Sequence, residues 1–217
     1  MEELDLLKKS WKKDEHTFDQ VSEAELYKML HKKSSSIVKW IFIISVLEFL
    51  FGIMLSAALS FTKGDENNLQ MIKDWGLYDY YVTSTLLIYA IVFYFIYRFY
   101  SMYQKISVID NTKLLITSIL KTRKVVKQYI AFNLTTFAII FNIVGGFGFY
   151  YGYIEGAISK GNLNPEMPLN VMLIAVLVLI VVTAILTFVF WLIYKLIYGI
   201  LLKRLNKNYE ELRKIDF

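Results

Sequence analysis

Residues 169–194 read LNVMLIAVLVLIVVTAILTFVFWLIY and contain no charged side chain. A helix needs about 20 predominantly apolar residues to cross a hydrocarbon core of about 30 Å, and this stretch meets that requirement. Three other predominantly apolar stretches lie earlier in the chain, at residues 37–62, 80–97 and 129–154. The sequence therefore predicts an all-α, polytopic membrane protein with four transmembrane helices.

The composition and the placement of charge agree with a membrane protein of one domain. Hydrophobic residues make up 56% of the 217 residues, against about 45–50% in a soluble domain. We expect a cytoplasmic amphipathic segment at residues 1–36, a membrane domain at 37–202 and a cytoplasmic tail at 203–217. The predicted spans are about 37–62, 80–103, 128–154 and 169–202, and a cytoplasmic helical hairpin occupies about 98–127.

The distribution of cations predicts the orientation. All but three of the 24 lysines and arginines lie in residues 1–39, 98–127 or 195–217. Because cytoplasmic segments carry the excess of lysine and arginine, we expect both termini in the cytoplasm of a bacterium and the protein in its inner membrane. Aromatic residues are typical of the interfaces, and at the cytoplasmic one we expect Trp40, Tyr97, Tyr100, Tyr103, Trp191, Tyr194 and Tyr198.

Local signals mark the starts of two helices. Ser22 followed by Glu25 predicts a capping box, and the helix that begins at Glu23 is expected to continue into the first span. Asp110 is a plausible N-cap for the helix that enters the third span. One face of that helix carries Leu115, Ile119, Thr122 and Val126.

Several chemistries are excluded by composition. The chain has no cysteine and only two histidines, His16 and His31, without the spacing of a metal site. We read both histidines as ordinary surface residues, and no motif indicates a catalytic site. We therefore expect no metal, no cofactor, no nucleic acid and no enzymatic activity.

Polar residues inside the spans are the first candidates for function. Glu48 is the only acidic residue inside a predicted span, about eight residues, or about 12 Å at 1.5 Å per residue, from the cytoplasmic end of the first apolar stretch. An intramembrane carboxylate either has a function or ties helices together, and we favour the structural role. We expect its partners on the third span, among Asn133, Thr135, Thr136 and Asn142.

Small residues recur at every fourth position in two spans. Close packing through small residues is a main route by which helices associate in lipid. We expect the first and third spans to cross closely here, or one series to form a homodimer face. The residues are Gly52, Ser56 and Ser60 on the first span, and Gly148, Gly152 and Gly156 on the third.

The N-terminal segment combines charge with an apolar face. This pattern suits docking on a protein partner, although the same face could equally pack on the chain's own hairpin. The candidate partner-binding residues are Leu4, Leu7, Trp11, Leu26 and Leu30.

Residues 25–42 read ELYKMLHKKSSSIVKWIF, and residues 7–11 match a Leu-Lys-Lys-x-Trp pattern. This region resembles an uncharacterised family of four-span integral membrane proteins from flavobacteria (Bacteroidota). Members are sometimes labelled carotene monooxygenases, a label that the two histidines without metal-ligand spacing contradict for this chain. Members also resemble proteins found beside sigma-factor genes, and this resemblance implies an anti-sigma-like role.

Together these features predict a non-enzymatic regulator or scaffold of the inner membrane. It would bind a cytosolic or membrane protein, or another copy of itself, and contact the lipid bilayer. The alternative is a small transporter or channel, or an accessory subunit of a larger membrane complex, that uses Glu48.

Overall fold

Four long helices make up the part of the chain that the structure describes. The computed structural model describes residues 22–60, 70, 72–74, 76–109, 111–162 and 165–215, apart from the side chains of residues 59, 60 and 215. The helices are α1 (Glu23–Ser60), α2 (Tyr78–Ser107), α3 (Thr112–Ser159) and α4 (Leu169–Ile215). All four are long and apolar enough to cross a membrane, which confirms the predicted all-α, four-helix membrane fold.

Three of the helices are much longer than a bilayer requires. With 48 residues, α3 is about 72 Å long, more than twice the hydrocarbon thickness. The excess length of α1, α3 and α4 lies in charged sequence at one common end of the bundle. We call this end the stalk, and it comprises residues 23–39, 100–109, 112–127 and 203–214. Its cytoplasmic location is a prediction from charge.

The helices form a square bundle in which each one packs against two antiparallel neighbours. Both α1 and α3 pack against α2 and α4, whereas α1 and α3 meet only slightly across the diagonal. Within the described residues, α2 and α4 do not meet. On the α1–α4 side, Asn208 Nδ2 donates to Ser34 Oγ at 3.1 Å. On the α2–α3 side, the rings of Phe95 and Tyr129 lie 5.5 Å apart.

The hydrophobic core lies in the stalk and in the adjoining part of the membrane segment. Two clusters of buried side chains follow each other along the bundle axis. The stalk cluster contains Leu30, Val38, Ile106, Leu115, Ile119, Leu205 and Leu212. The next contains Ile41, Phe95, Phe99, Val125, Val126, Tyr129 and Tyr198. Burial of Leu115, Ile119, Thr122 and Val126 confirms the face predicted for the start of α3.

Hydrogen bonds at the helix starts confirm one predicted cap and correct the other. The main-chain nitrogen of Ser22 donates to Glu25 Oε2 at 3.1 Å, and that of Glu25 donates to Ser22 Oγ at 3.3 Å, so the capping box is present. At α3 the N-cap is Asn111, whose side chain accepts from Lys113 and Leu114. Its extended backbone directly before the first helical residue brings its oxygen within reach of these donors. The predicted cap, Asp110, lies outside the described residues.

Two α1 side chains bind main-chain oxygens at the end of α2. Tyr27 donates its hydroxyl to the carbonyl of Ile109 at 2.9 Å, and His31 Nε2 lies 2.6 Å from the carbonyl of Ile106. Because a carbonyl oxygen only accepts, Nε2 carries the proton of this bond. These contacts satisfy carbonyls that the end of a helix leaves without an internal partner. The interpretation of His31 as an ordinary surface residue was therefore wrong, and His16 lies outside the described residues.

The half of the membrane domain remote from the stalk, which we call the distal half, is loosely packed. Every described residue from 50 to 58 of α1 is exposed, which covers all faces of more than two helical turns. No residue of 78–91, 139–159 or 169–182 is buried. In a bilayer these surfaces face lipid or a partner in the membrane.

Candidate functional site

Glu48 accepts hydrogen bonds from three tyrosines on two other helices. Tyr129 of α3 donates to Oε2 at 2.9 Å, and Tyr198 of α4 donates to the same oxygen at 3.2 Å. Tyr194 of α4 donates to Oε1. We call these four residues the Glu48 cluster. Through it, one carboxyl group joins α1, α3 and α4.

The rings of the cluster are held by packing against one another and against α2. Tyr129 makes edge-on contacts with Phe95 and Phe99 of α2, each at a centroid distance of 5.5 Å. Tyr194 stacks on Tyr198 at 5.9 Å. Tyr129 and Tyr198 are essentially fully buried. Because the phenol rings cannot move far, their hydroxyls are preorganised around Glu48.

The described partners of Glu48 are tyrosines and not the polar residues predicted on the third span. Thr135, Thr136 and Asn142 make no described bond to Glu48, because they lie farther along α3 than Tyr129. Tyr194 and Tyr198 were assigned to the interfacial aromatic belt, whereas the structure buries Tyr198 completely. Their four-residue spacing, which aligns them on one face of α4, was a signal that could have identified them.

Asn133 lies one helical turn beyond Tyr129, beside the hydroxyls of Tyr129 and Tyr194. Its Nδ2 atom is inaccessible and meets no acceptor at the usual distance and angle of a hydrogen bond, although both hydroxyls are close enough to interact with the side chain. A buried donor without a well-placed acceptor is unusual in a protein interior. Asn133 therefore extends the polar surroundings of Glu48 along α3.

A second polar contact joins α3 to α4 farther into the membrane. Asn142 Nδ2 donates to Thr183 Oγ1 at 3.0 Å and to the carbonyl of Ala138 at 2.8 Å. Two open grooves of about 540 and 500 Å³ adjoin this contact, and both include Leu134 and Thr187 in their linings. Asn142 therefore stabilises the α3–α4 hairpin and has no described bond to Glu48.

The small-residue stripes do not bring α1 and α3 together. A Cβ atom added at Gly52, Gly148, Gly152 or Gly156 would meet no heavy atom within 4 Å. The predicted crossing within one chain is therefore wrong at these glycines, because α1 and α3 are diagonal in the bundle. Ser56 is exposed, and the side chain of Ser60 lies outside the described residues. The homodimer alternative stays a prediction.

The close contact occurs at a different glycine. A Cβ atom at Gly145 of α3 would lie 2.7 Å from Cδ1 of Leu179 on α4. This contact joins the two helices of one hairpin.

Two of the predicted partner-binding residues serve the chain's own core. Leu30 is 1% exposed within the stalk cluster, and Leu26 packs against the same cluster. The alternative reading, in which this part of the amphipathic face packs on the chain's own stalk, is therefore correct for these two. Leu4, Leu7 and Trp11 lie outside the described residues.

Among the described residues, no group of three or more His, Cys, Asp or Glu side chains is placed to hold a metal ion. The Glu48 cluster contains one carboxylate surrounded by hydroxyl donors. Its groups can bind a hydrogen-bonding ligand or link helices.

Comparison with known proteins places the chain in a family. Residues 24–217 match a domain of unknown function, DUF8845, and the chain belongs to that family. No curated protein matches the chain, and neither does any solved structure.

Proposed function

We propose that this protein is a non-enzymatic scaffold or regulator of a bacterial inner membrane that binds a membrane partner through its distal half. One observation carries the proposal: residues 50–58 of α1 are exposed on every face, while the stalk and the Glu48 cluster hold the bundle together independently of them. Lipid provides no hydrophobic drive for helix association, so partners in a membrane recognise close-packing surfaces. Gly52 offers such a surface, with free space around it.

Site-specific photo-crosslinking in cells tests this proposal. A photoreactive residue at Met54, which is 66% exposed, should give a discrete protein adduct. That adduct should disappear when Gly52→Leu fills the space beside it. The same probe at Tyr97, 68% exposed on α2, is the control. If Met54 gives only lipid adducts, or the same protein adducts as Tyr97, the distal half is not a partner surface.

A cytosolic partner would use residues 1–21, because Leu26 and Leu30 are occupied in the stalk. Deletion of residues 1–21 removes Leu4, Leu7 and Trp11 and leaves the capping box intact. Under this version of the proposal, the deletion removes a cytosolic adduct and leaves the Met54 adduct in place. Retention of every cytosolic partner by the shortened chain would exclude this segment as the docking site.

Transport is the second candidate, supported by the Glu48 carboxyl group inside a span and by the buried Nδ2 of Asn133 beside the cluster, which has no well-placed acceptor. Ionisable residues inside membrane spans commonly mark substrate or ion pathways. In proteoliposomes, Glu48→Gln would then change ion flux or its pH dependence. Equal flux for Glu48→Gln and the unaltered protein, with stability alone reduced, would favour the scaffold.

A further inference from the structure

Cations of α1, α3 and α4 form a layer at the junction between the stalk and the membrane segment. The levels follow from the antiparallel contacts. Ser34 of α1 bonds to Asn208 of α4, so these two residues lie at one height. Counting five residues from each toward the membrane segment leads to Lys39 and Lys203, which therefore also lie at one height. Tyr129 of α3 contacts Tyr198 of α4. Counting five residues from each toward the stalk leads to Lys124 and Lys203, which therefore also lie at one height. Three helices therefore place a lysine at the same level along the bundle axis.

Two more cations lie within about 2 Å of this level along the axis, at 1.5 Å per residue. Arg123 and Arg204 are each one residue away on their helices. We call the five residues the basic belt: Lys39, Arg123, Lys124, Lys203 and Arg204.

The basic belt has no counter-charge within the described chain. The nearest described carboxylates along its helices are Glu48 on α1 and Glu210 on α4. Glu210 is seven residues from Lys203, about 10 Å along the helix. The one described salt bridge on this end of α4, Lys207 to Glu211 at 3.8 Å, does not include a belt residue. Four of the five belt side chains are exposed, and Arg123 is half-buried.

The belt lies where the apolar segments begin. Directly beyond Lys39 comes Trp40, which is 55% exposed, and exposed tryptophan is typical of the headgroup region. On α3 the uncharged stretch starts after Lys127, and on α4 it ends at Lys195, eight residues before Lys203. At this depth of a bilayer, the available anions are the phosphates of phospholipids.

We propose that the basic belt binds anionic phospholipid headgroups and that these lipids stabilise the protein. The five cations lie within one residue of a common level along the bundle axis, and no described salt bridge includes any of them. Each lysine or arginine near an anionic membrane surface strengthens binding to that surface.

Native mass spectrometry of the full chain ejected from nanodiscs tests the proposal. The nanodiscs contain equal amounts of phosphatidylglycerol and phosphatidylcholine, and retained lipids are counted by mass. The unaltered protein should retain phosphatidylglycerol preferentially. The belt variant K124Q/K203Q should retain it about 20- to 30-fold more weakly, from the usual contribution of each cation at an anionic surface. The preference should fall as salt is raised.

A matched variant distinguishes lipid binding at the belt from a general effect of positive charge. K113Q/K214Q removes the same two charges from exposed positions, each 11 residues and so about 16 Å from the belt along α3 and α4. It should retain phosphatidylglycerol as the unaltered protein does. Equal losses in both variants, or no preference in the unaltered protein, would overturn the proposal.

Thermal unfolding gives an independent readout. Phosphatidylglycerol should raise the midpoint temperature of the unaltered protein and of K113Q/K214Q above that in phosphatidylcholine, and raise that of K124Q/K203Q less. If inorganic phosphate added to phosphatidylcholine nanodiscs gives the same increase, the belt binds free phosphate and the lipid assignment is wrong.

Discussion

Replacement of Glu48 by leucine should destabilise the bundle, because three hydroxyl donors lose their acceptor together. The rings of Tyr129 and Tyr198 are 1% and 0% exposed, so neither hydroxyl can turn to solvent. A side-chain hydrogen bond between membrane helices contributes about 0.6 kcal/mol on average and at most about 1.7. Three such bonds give an expected loss of about 2 kcal/mol in the free energy of unfolding.

A double-mutant cycle between Glu48→Leu and Tyr198→Phe isolates the contribution of the cluster. Once the acceptor is gone, removal of the hydroxyl should cost nothing further. The coupling energy should therefore be about 0.6 kcal/mol or more. Tyr97→Phe, at an exposed ring on α2, is the control and should couple to nothing. Both quantities can be measured by reversible unfolding of the protein in nanodiscs under steric trapping.

Two results would refute this reasoning. One is a stability change below about 0.5 kcal/mol for Glu48→Leu, the range of an ordinary surface substitution. The other is additivity of Glu48→Leu and Tyr198→Phe, which would mean that the hydroxyl and the carboxylate do not interact. Glu48→Gln should fall between leucine and glutamate, because an amide oxygen can still accept from a tyrosine.

Two further substitutions test the helix contacts. Gly148→Ala should stabilise α3 by up to about 1 kcal/mol through helix propensity, because the space around Gly148 is open. Gly145→Ala should lose that gain, because its new methyl group would collide with Leu179, and Leu179→Ala should restore it. Equal free energies of unfolding for the two glycine-to-alanine variants would contradict the contact. Asn208→Ala should lower the free energy of unfolding by about 1–3 kcal/mol, because both groups of its bond to Ser34 are buried. In a cycle with Ser34→Ala and the double variant, the two losses should be strongly non-additive. Additive losses would disprove the bond.

The sequence predicted the features that depend on local pattern. Length and hydropathy predict four helices, because a chain in lipid has to satisfy its backbone groups within each helix. The capping box at Ser22 and the buried face that begins at Leu115 follow from short-range spacing in the same way. Each of these predictions uses residues within one helix.

The partners of Glu48 could not be read from the sequence, because they depend on which helices are neighbours. Tyrosine near the end of a span is typical of the interface, and that rule misassigned Tyr194 and Tyr198. The stalk continues the bundle beyond the apolar segments, so an aromatic residue at this depth can face the core. The same cause explains the error at His31, whose acceptor lies on α2.

The glycine stripes show why a small-residue pattern alone does not identify a helix pair. Small residues at every fourth position indicate that one face of a helix is flat. The arrangement of the helices in the bundle determines whether another helix packs against that face. With α1 and α3 diagonal, a Cβ atom added at Gly52 or Gly148 has no heavy atom within 4 Å, whereas one added at Gly145, outside the pattern, would lie 2.7 Å from Leu179 Cδ1. Buried side chains concentrate in the stalk and around the Glu48 cluster, whereas the described residues of the distal half remain mostly exposed. The bundle arrangement therefore places the core at one end of the molecule and the glycine stripes at the other.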